Sequence, residues 1–410
     1  MLKIWFINHF AMKPEYPGGS RHFDFAMELV KRGHKVTIFA SDFSCMLRKY
    51  YGVRCGELYS SENYKGVDYY WVKTISYQNN DWLRVLNMLS FSFNLLRVGR
   101  KLERPDIILG SSPHLFAALA GYLLSIFKKT KFVLEIRDLW PQVIIEMGKD
   151  GGNRIAIKAL KIIENLLYKK ADRIVVLSKG LMQYLKERGV PEEKITFVPN
   201  GVHFDYFSPS LSREQAREKY HFNKFTLVYT GAHGPANALE TILKAAMKLE
   251  NNNAIEFVLL GDGPEKSKLK NIILGEKINN VRLLDSIPKK EVPDFLLAAD
   301  GGVITLKNIH LFKYGVSPNK LFDYMASALP VISCIGGDMG EVVKEAGAGF
   351  NIPPEDGAAL AEAAVKLMNS SELERKNMGI NGLNYVSKYY SREKQINIME
   401  EMFKEIDVLK

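Results

Sequence analysis

Lys320 and Asp323 lie three residues apart in the run YGVSPNKLFDYMASALPVISC (314–334), which reads as loop, helix, short turn and strand. Pro318 suits a first helical turn, so both side chains share one face near a helix N-terminus. A lysine there can neutralise a departing diphosphate as a point charge. A carboxylate one turn on can accept hydrogen bonds from ribose hydroxyls. The pair also reads as a surface ion pair of little energetic weight. Three glycine loops offer anion cradles, because glycine lets backbone amides approach a ligand and a helix N-terminus favours negative charge. In NHFAMKPEYPGGSRHF (8–23), Gly18 and Gly19 stand just before a helix beginning near Arg21. In TGAHGPANALETILKAA (230–246), Gly231 and Gly234 flank His233, and a helix opens near Asn237. LLGDGPEKSKL (259–269) repeats the idea with Asp262 and Gly263. Each cradle reads equally as a turn. EIRDLWP (135–141) places Arg137 and Asp138 at a strand's C-terminal end, the edge where open α/β sheets bind ligands. Arg137 can hold phosphate or carboxylate, or pair with Asp138 structurally. His22 taken alone reads as structural. Asn200-Gly201 in VPNGV (198–202) reads as a turn or a hinge.

The elements that must position these residues alternate along the chain. Strand-like runs occur at 3–8, 34–41, 106–111, 131–138, 171–178 and 194–201, and are continuous and rich in Ile and Val, as expected where both faces of a parallel sheet are covered. Helices lie between them, including Arg21 to Arg32, closed by Gly33, and Ile155 to Lys170. The pattern restarts at 225–231, 255–263, 281–287, 300–306 and 330–335. Two consecutive βαβα series predict two doubly wound α/β domains, 1–203 and 204–390. A terminal helix of about 391–410 is expected to pack back on the first domain. Residues 79–101 stand apart: Trp82, Phe91 and Phe93 alternate with Arg84, Arg97, Arg100 and Lys101. Such a segment can lie on anionic lipid, or pack on the sheet with a wet basic edge.

The chain has 410 residues and a formal net charge of +10. Residues 1–205 carry 31 Lys and Arg against 20 Asp and Glu, so the basic excess belongs to the first half. A basic lobe suits an anionic membrane surface or a phosphorylated substrate. Nucleic acid is demoted, since the chain lacks zinc-finger spacing, an RRM-type motif and a basic heptad helix. No run reaches eighteen apolar residues, and the opening residues lack a signal-peptide pattern. Three scattered cysteines (Cys45, Cys55 and Cys334) suggest neither a disulfide framework nor a zinc site. These features lead us to expect a cytoplasmic protein.

In order along the chain, PGGSRHF with GHKVTIFAS, then RDLWP, ADRIVVLS, VPNGV, YTGAHG, LLGDGPE and SPNKLFDYMASALPVIS resemble family 4 of the retaining glycosyltransferases. That family has the GT-B architecture, two Rossmann-like α/β domains facing across a cleft. RDLWP and the last block look closest to the branch that builds bacterial surface polysaccharides, including the fucosamine transferases of O-antigen and capsule synthesis. The resemblance implies a nucleotide-sugar donor, UDP-linked, bound mainly by the second domain. It implies a polyprenyl-diphosphate-linked saccharide as acceptor on the first domain, transfer of a hexosyl or N-acetylhexosaminyl group, and peripheral attachment to the inner face of the cytoplasmic membrane. The donor-binding residues implied are Gly18, Gly19, Gly231, His233, Asp262, Gly263, Ile287, Ser317, Pro318, Asn319, Lys320 and Asp323. Lys320, Arg137 and Asp138 fall at the reacting centre, and His22 and Asn200 on the acceptor side.

The chain also departs from the family pattern. Asp323 occupies the place of the second acid of the Glu-x7-Glu motif, which binds ribose, but Gly315 replaces the first. AHGPAN stands where an Arg and a Lys are usual. No DxD pair lies at a strand end, so the expected chemistry needs no metal. Two other readings stay open at this level: a GT-B-like UDP-sugar epimerase, and a non-catalytic sugar-nucleotide binding protein. A nicotinamide oxidoreductase is remote without GxGxxG after the first strand.

Overall fold

A computed structural model of the chain describes residues 1–16, 20–44, 49–53, 56–78, 82–147, 153–314 and 316–408. Contacts divide the chain into two units, Met1–Pro199 with Glu393–Lys410, and Asn200–Arg392. The divisions fall a few residues from the boundaries read at 203/204 and 390/391.

In the first unit the Ile- and Val-rich runs become the parallel strands Lys3–Ile7, Lys35–Ser41, Ile107–Ser111, Lys131–Ile136, Arg173–Val176 and Ile195–Phe197. Their interiors are almost wholly buried, because helices cover both faces. The helix after the first strand spans Arg21–Lys31 and Gly33 follows at φ +87°, a left-handed position where glycine costs nothing. Beyond Lys35–Ser41 the sheet continues through Val67–Val72, paired parallel to it, and ends in Tyr59–Tyr64, antiparallel to Val67–Val72. This hairpin is absent from the sequence reading. Its turn, Lys65-Gly66, has φ of +52° and +85°, the double positive φ of a tight hairpin turn. Its outer strand YSSENY is polar and largely exposed, so no hydrophobic run announces it. The terminal helix Arg392–Val408 places Ile396, Met399, Met402, Phe403 and Ile406 in the same core as Ile4 and Phe6.

The second unit has one six-stranded parallel sheet in the order Val281–Leu284, Ile255–Leu260, Phe225–Thr230, Gly301–Thr305, Val331–Cys334 and Gly349–Asn351. The last strand has three half-buried residues, too few to show a period. The strand order reverses between Phe225–Thr230 and Gly301–Thr305, the kind of switch point where α/β sheets bind ligands. Among the described residues, no helix is long and apolar enough to cross a membrane.

Candidate functional site

Strand Phe225–Thr230 and helix Asn319–Ala326 bring the strongest group together. Pro318 is the helix N-cap rather than part of its first turn. The Lys320 ammonium donates to the Tyr229 hydroxyl at 2.8 Å and to Asn237 Oδ1 at 3.0 Å, and lies 4.4 Å from the Tyr229 ring centroid. Tyr229 Oη and Asn237 Nδ2 both donate in turn to the Ala232 carbonyl, at 2.8 and 3.0 Å. Two donors on one carbonyl oxygen set the spacing of the two acceptors that grip the lysine. The far end of Lys320 sits against exposed Gly231: a Cβ built there would lie 3.4 Å from Lys320 Cε and 3.7 Å from Nζ. Burial pulls the Lys320 pKa down to about 7, with Asp323 opposing.

Asp323 is half-buried on the same helix. Among the described residues no ion pair joins it to Lys320, so the pair is not the surface salt bridge that the spacing also allowed. Burial raises its pKa to about 7 against the pull of Lys289, Arg392 and Lys320. The loop before the helix is tied down by Asn200. The Asn200 backbone N–H donates to Ser317 Oγ at 3.0 Å, and its side-chain amide donates to the Ser317 carbonyl at 2.6 Å. Asn200 therefore belongs to the second unit, is buried, and spends its amide on Ser317. Asn319 is exposed, and Ile287 is half-buried against the unit's core.

Gly261 and Gly263 serve loop packing. The His233 N–H donates to the Asp262 carbonyl at 2.7 Å, and the Glu265 N–H donates to the His233 carbonyl at 2.9 Å. At Gly263 (φ +153°) a Cβ would stand 2.5 Å from the His233 carbonyl oxygen, and at neighbouring Gly261 only 1.9 Å from that of Gly231. Only glycine permits that approach. The His233 ring is fully buried with neither nitrogen hydrogen-bonded, and burial lowers its pKa to about 4, so it is neutral. Asp262 is exposed, and its carboxylate accepts from the Gly263 N–H at 2.7 Å.

In the first unit, the strand ends carry a buried polar network that the sequence reading did not find. Arg21 Nε donates to Glu135 Oε1 at 2.8 Å, and its two terminal nitrogens donate to the carbonyls of Pro199 and Val198, each at 2.7 Å. His22 Nε2 meets Glu135 Oε2 at 2.8 Å, and His22 Nδ1 meets Asn8 Nδ2 at 2.9 Å. Asn8 Oδ1 accepts from the Phe10 N–H, so its amide nitrogen faces the imidazole and can only donate. The His22 proton is therefore on Nε2. Burial opposes the Glu135 charge, yet His22, Arg21 and Arg137 hold its pKa well below the carboxylate range. Burial lowers that of His22 despite Glu135. The resulting state is an ionised Glu135 between a guanidinium and a neutral imidazole. His22 is thus enclosed, whereas Arg137 is half-buried and Asp138 exposed at the end of the same strand. Among the described residues no ion pair links those two. Gly18, Gly19 and Gly315 lie outside the described residues.

The glycosyltransferase family 4 model matches residues 18–206, and the model of glycosyl transferases group 1 matches residues 224–370. A protein of Pseudomonas aeruginosa named probable glycosyltransferase WbjE is 26% identical over 66% of this chain and 68% of its own. WcaI of Escherichia coli K12, a glycosyl transferase named for colanic acid biosynthesis, is 26% identical over 72% of this chain and 74% of its own. An Escherichia coli UDP-Gal:alpha-D-GlcNAc-diphosphoundecaprenol alpha-1,3-galactosyltransferase is 27% identical over 50% of this chain and 54% of its own. Among solved structures, sucrose-phosphate synthase of Thermosynechococcus elongatus superposes with a TM-score of 0.80 at 16% identity, covering 100% of both chains. Anabaena Alr3699/HepE in complex with UDP-glucose gives 0.72 at 14% identity, over 98% of this chain and 99% of that one.

Proposed function

Residues 18–206 match the family 4 glycosyltransferase model and residues 224–370 the group 1 model, on a GT-B fold, and from that premise we propose that the chain transfers a hexosyl or N-acetylhexosaminyl group from a UDP-sugar to a polyprenyl-diphosphate-linked saccharide. The product would enter a bacterial surface polysaccharide such as O-antigen or capsule. The observation that carries this reading is the Lys320 ammonium, gripped by Tyr229 and Asn237 beside the exposed backbone of Gly231. Support for the donor and acceptor classes comes from relatives: one is named for UDP-Gal and a diphosphoundecaprenol acceptor.

Transfer with retention passes through an oxocarbenium-like state while negative charge grows on the departing diphosphate. Lys320 supplies the compensating charge at a fixed position, in place of a metal and of the Arg and Lys missing from AHGPAN. Asp323 accepts from ribose hydroxyls. Asn200 holds the Ser317 loop, so that Asn319 and Lys320 begin the helix in register. Arg137 is the cation that the first unit presents at its sheet edge, on the side given to the acceptor. The unit's basic excess favours an anionic membrane, where a polyprenyl acceptor resides.

A panel of UDP-sugars incubated with polyprenyl-diphosphate-saccharide acceptors tests the proposal, with products identified by mass spectrometry. Sugar transfer to a lipid-linked acceptor is expected. Turnover of UDP-sugar without acceptor would indicate epimerisation or release instead. Asp323→Ala is expected to lower kcat/KM about tenfold, roughly 1.4 kcal/mol, mainly through donor KM, with an unchanged thermal melt. Unaltered donor KM in that variant would remove the ribose assignment.

A further inference from the structure

Three neighbouring helices of the first unit, Trp82–Lys101, Leu115–Lys128 and Arg154–Lys170, are apolar on two sides. The second packs against both of the others. Each turns one face to the core: Met88, Phe91, Leu95 and Val98 in the first, Ala117, Ala120 and Leu124 in the second, Leu160 and Leu167 in the third. A helix on a sheet needs only that one apolar stripe. Yet Trp82, Val85, Leu89 and Phe93 recur at helical spacing on the opposite face of the first helix, exposed by 66, 46, 42 and 62%. Leu123, Ile126 and Phe127 do the same on the second helix, and Ile155, Ile162 and Leu166 on the third. Folding does not explain a second stripe on each of three adjacent helices. Exposed apolar surface on this scale marks an interaction site.

Charge identifies the partner. The three helices carry ten Lys and Arg and one carboxylate, Glu164. That carboxylate is buried and accepts from Arg188 at 2.8 Å and from the Tyr168 hydroxyl. Their outer faces therefore present no negative charge. The cations also sit among the exposed rings: Arg97 lies 5.8 Å from the Phe93 centroid, and Arg100 and Lys128 lie 5.1 and 5.8 Å from that of Phe127. Aromatic and aliphatic side chains at the level of Lys and Arg, without acids, match the boundary between acyl chains and anionic headgroups. We infer that these three helices form a single docking face by which the first unit lies on an anionic bilayer, the aromatic side chains entering the headgroup layer. The inference rests on the membrane reading above and extends it from one segment to a surface built by tertiary packing.

Vesicle co-sedimentation of the full chain tests this. The wild type is expected to bind phosphatidylglycerol-containing vesicles at least about tenfold more strongly than pure phosphatidylcholine ones, and less strongly as salt rises. The triple variant Trp82→Ser/Phe93→Ser/Phe127→Ser should lose at least about tenfold in partitioning. Lys158→Glu/Lys161→Glu, on the third helix, should lose binding as well, which a single-segment anchor would not show. Both variants should transfer sugar to a short-chain, water-soluble acceptor at the wild-type rate. Equal binding to neutral and anionic vesicles would overturn the inference, and so would wild-type binding by the Lys158/Lys161 variant. Loss of transfer by the wild type to every acceptor, with vesicle binding intact, would remove the catalytic reading and leave the surface standing.

Discussion

Replacing Lys320 with alanine lowers kcat/KM for sugar transfer by about 10²-fold or more, the size expected when one preorganised group that stabilises developing charge is removed. The fold survives, because the lysine's partners are a hydroxyl and a side-chain amide that water can satisfy. Most of the loss appears in kcat, since the charge on the diphosphate is greatest in the transition state. The same residue should make donor binding pH-dependent. Burial holds the Lys320 pKa near 7, so at pH 8.5 most of the free protein carries a neutral amine there. A bound diphosphate favours the ammonium, so binding takes up a proton above pH 7 and UDP affinity falls as pH rises. Calorimetric titration of UDP in buffers of different ionisation enthalpy reads this uptake directly. Lys320→Ala should abolish it above about pH 8, where Asp323, its own pKa raised to about 7, is already ionised. Proton uptake that persists in the alanine variant, or a kcat/KM within twofold of the wild type, would remove Lys320 from the diphosphate site. Tyr229→Phe with Asn237→Ala offers a milder form of the same experiment: the charge remains but its position is no longer set.

The second large effect is on stability. Glu135→Ala should destabilise the first unit by roughly 3–5 kcal/mol, the cost of breaking a buried ion pair from one side. Arg21 and Glu135 are 3% and 1% exposed as side chains, so the guanidinium left behind cannot recover its hydration. The His22 Nε2–H loses its acceptor at the same time. Urea unfolding followed in the first unit measures the change. A loss under about 1 kcal/mol would show that water replaces the carboxylate and that the network is less closed than its geometry indicates. The pH dependence has a definite sign. The folded pKa of Glu135 lies well below its ordinary 4.5. Its contribution is therefore complete above about pH 4.5 and is lost as pH falls from there through the folded value. Glu135→Gln should lack that acid-side slope. The network also grips the carbonyls of Val198 and Pro199, the last residues before the chain enters the second unit. Destabilisation should thus reach residues that carry no charge themselves.

The alternation of strand and helix was legible from residue types alone, because short Ile- and Val-rich runs bounded by glycine and proline have few other uses. The hairpin 59–72 was not, since a polar edge strand has a buried partner on one side only. Lys320 stood out through Pro318 and the spacing to Asp323. Tyr229 and Asn237 did not, because a tyrosine within a strand and an asparagine before a helix have common structural uses. Glu135 and Arg21 are 114 positions apart, and a lone glutamate inside KFVLEIRD reads as a flaw in a strand until its partner is seen.

Residue order alone settled the kind of elements, the strands of each main sheet to within two among the described residues, and the family resemblance, since all of these depend on local periodicity and on motifs with nearby members. Tertiary structure decided which side chains are spent on one another. It made His22 an enclosed neutral imidazole, turned His233, Gly261 and Gly263 into loop packing, and gave Lys320 two fixed acceptors. It also packed three helices with exposed apolar stripes against one another. Burial and distance across the chain set these outcomes, and neither quantity is a property of any segment taken by itself.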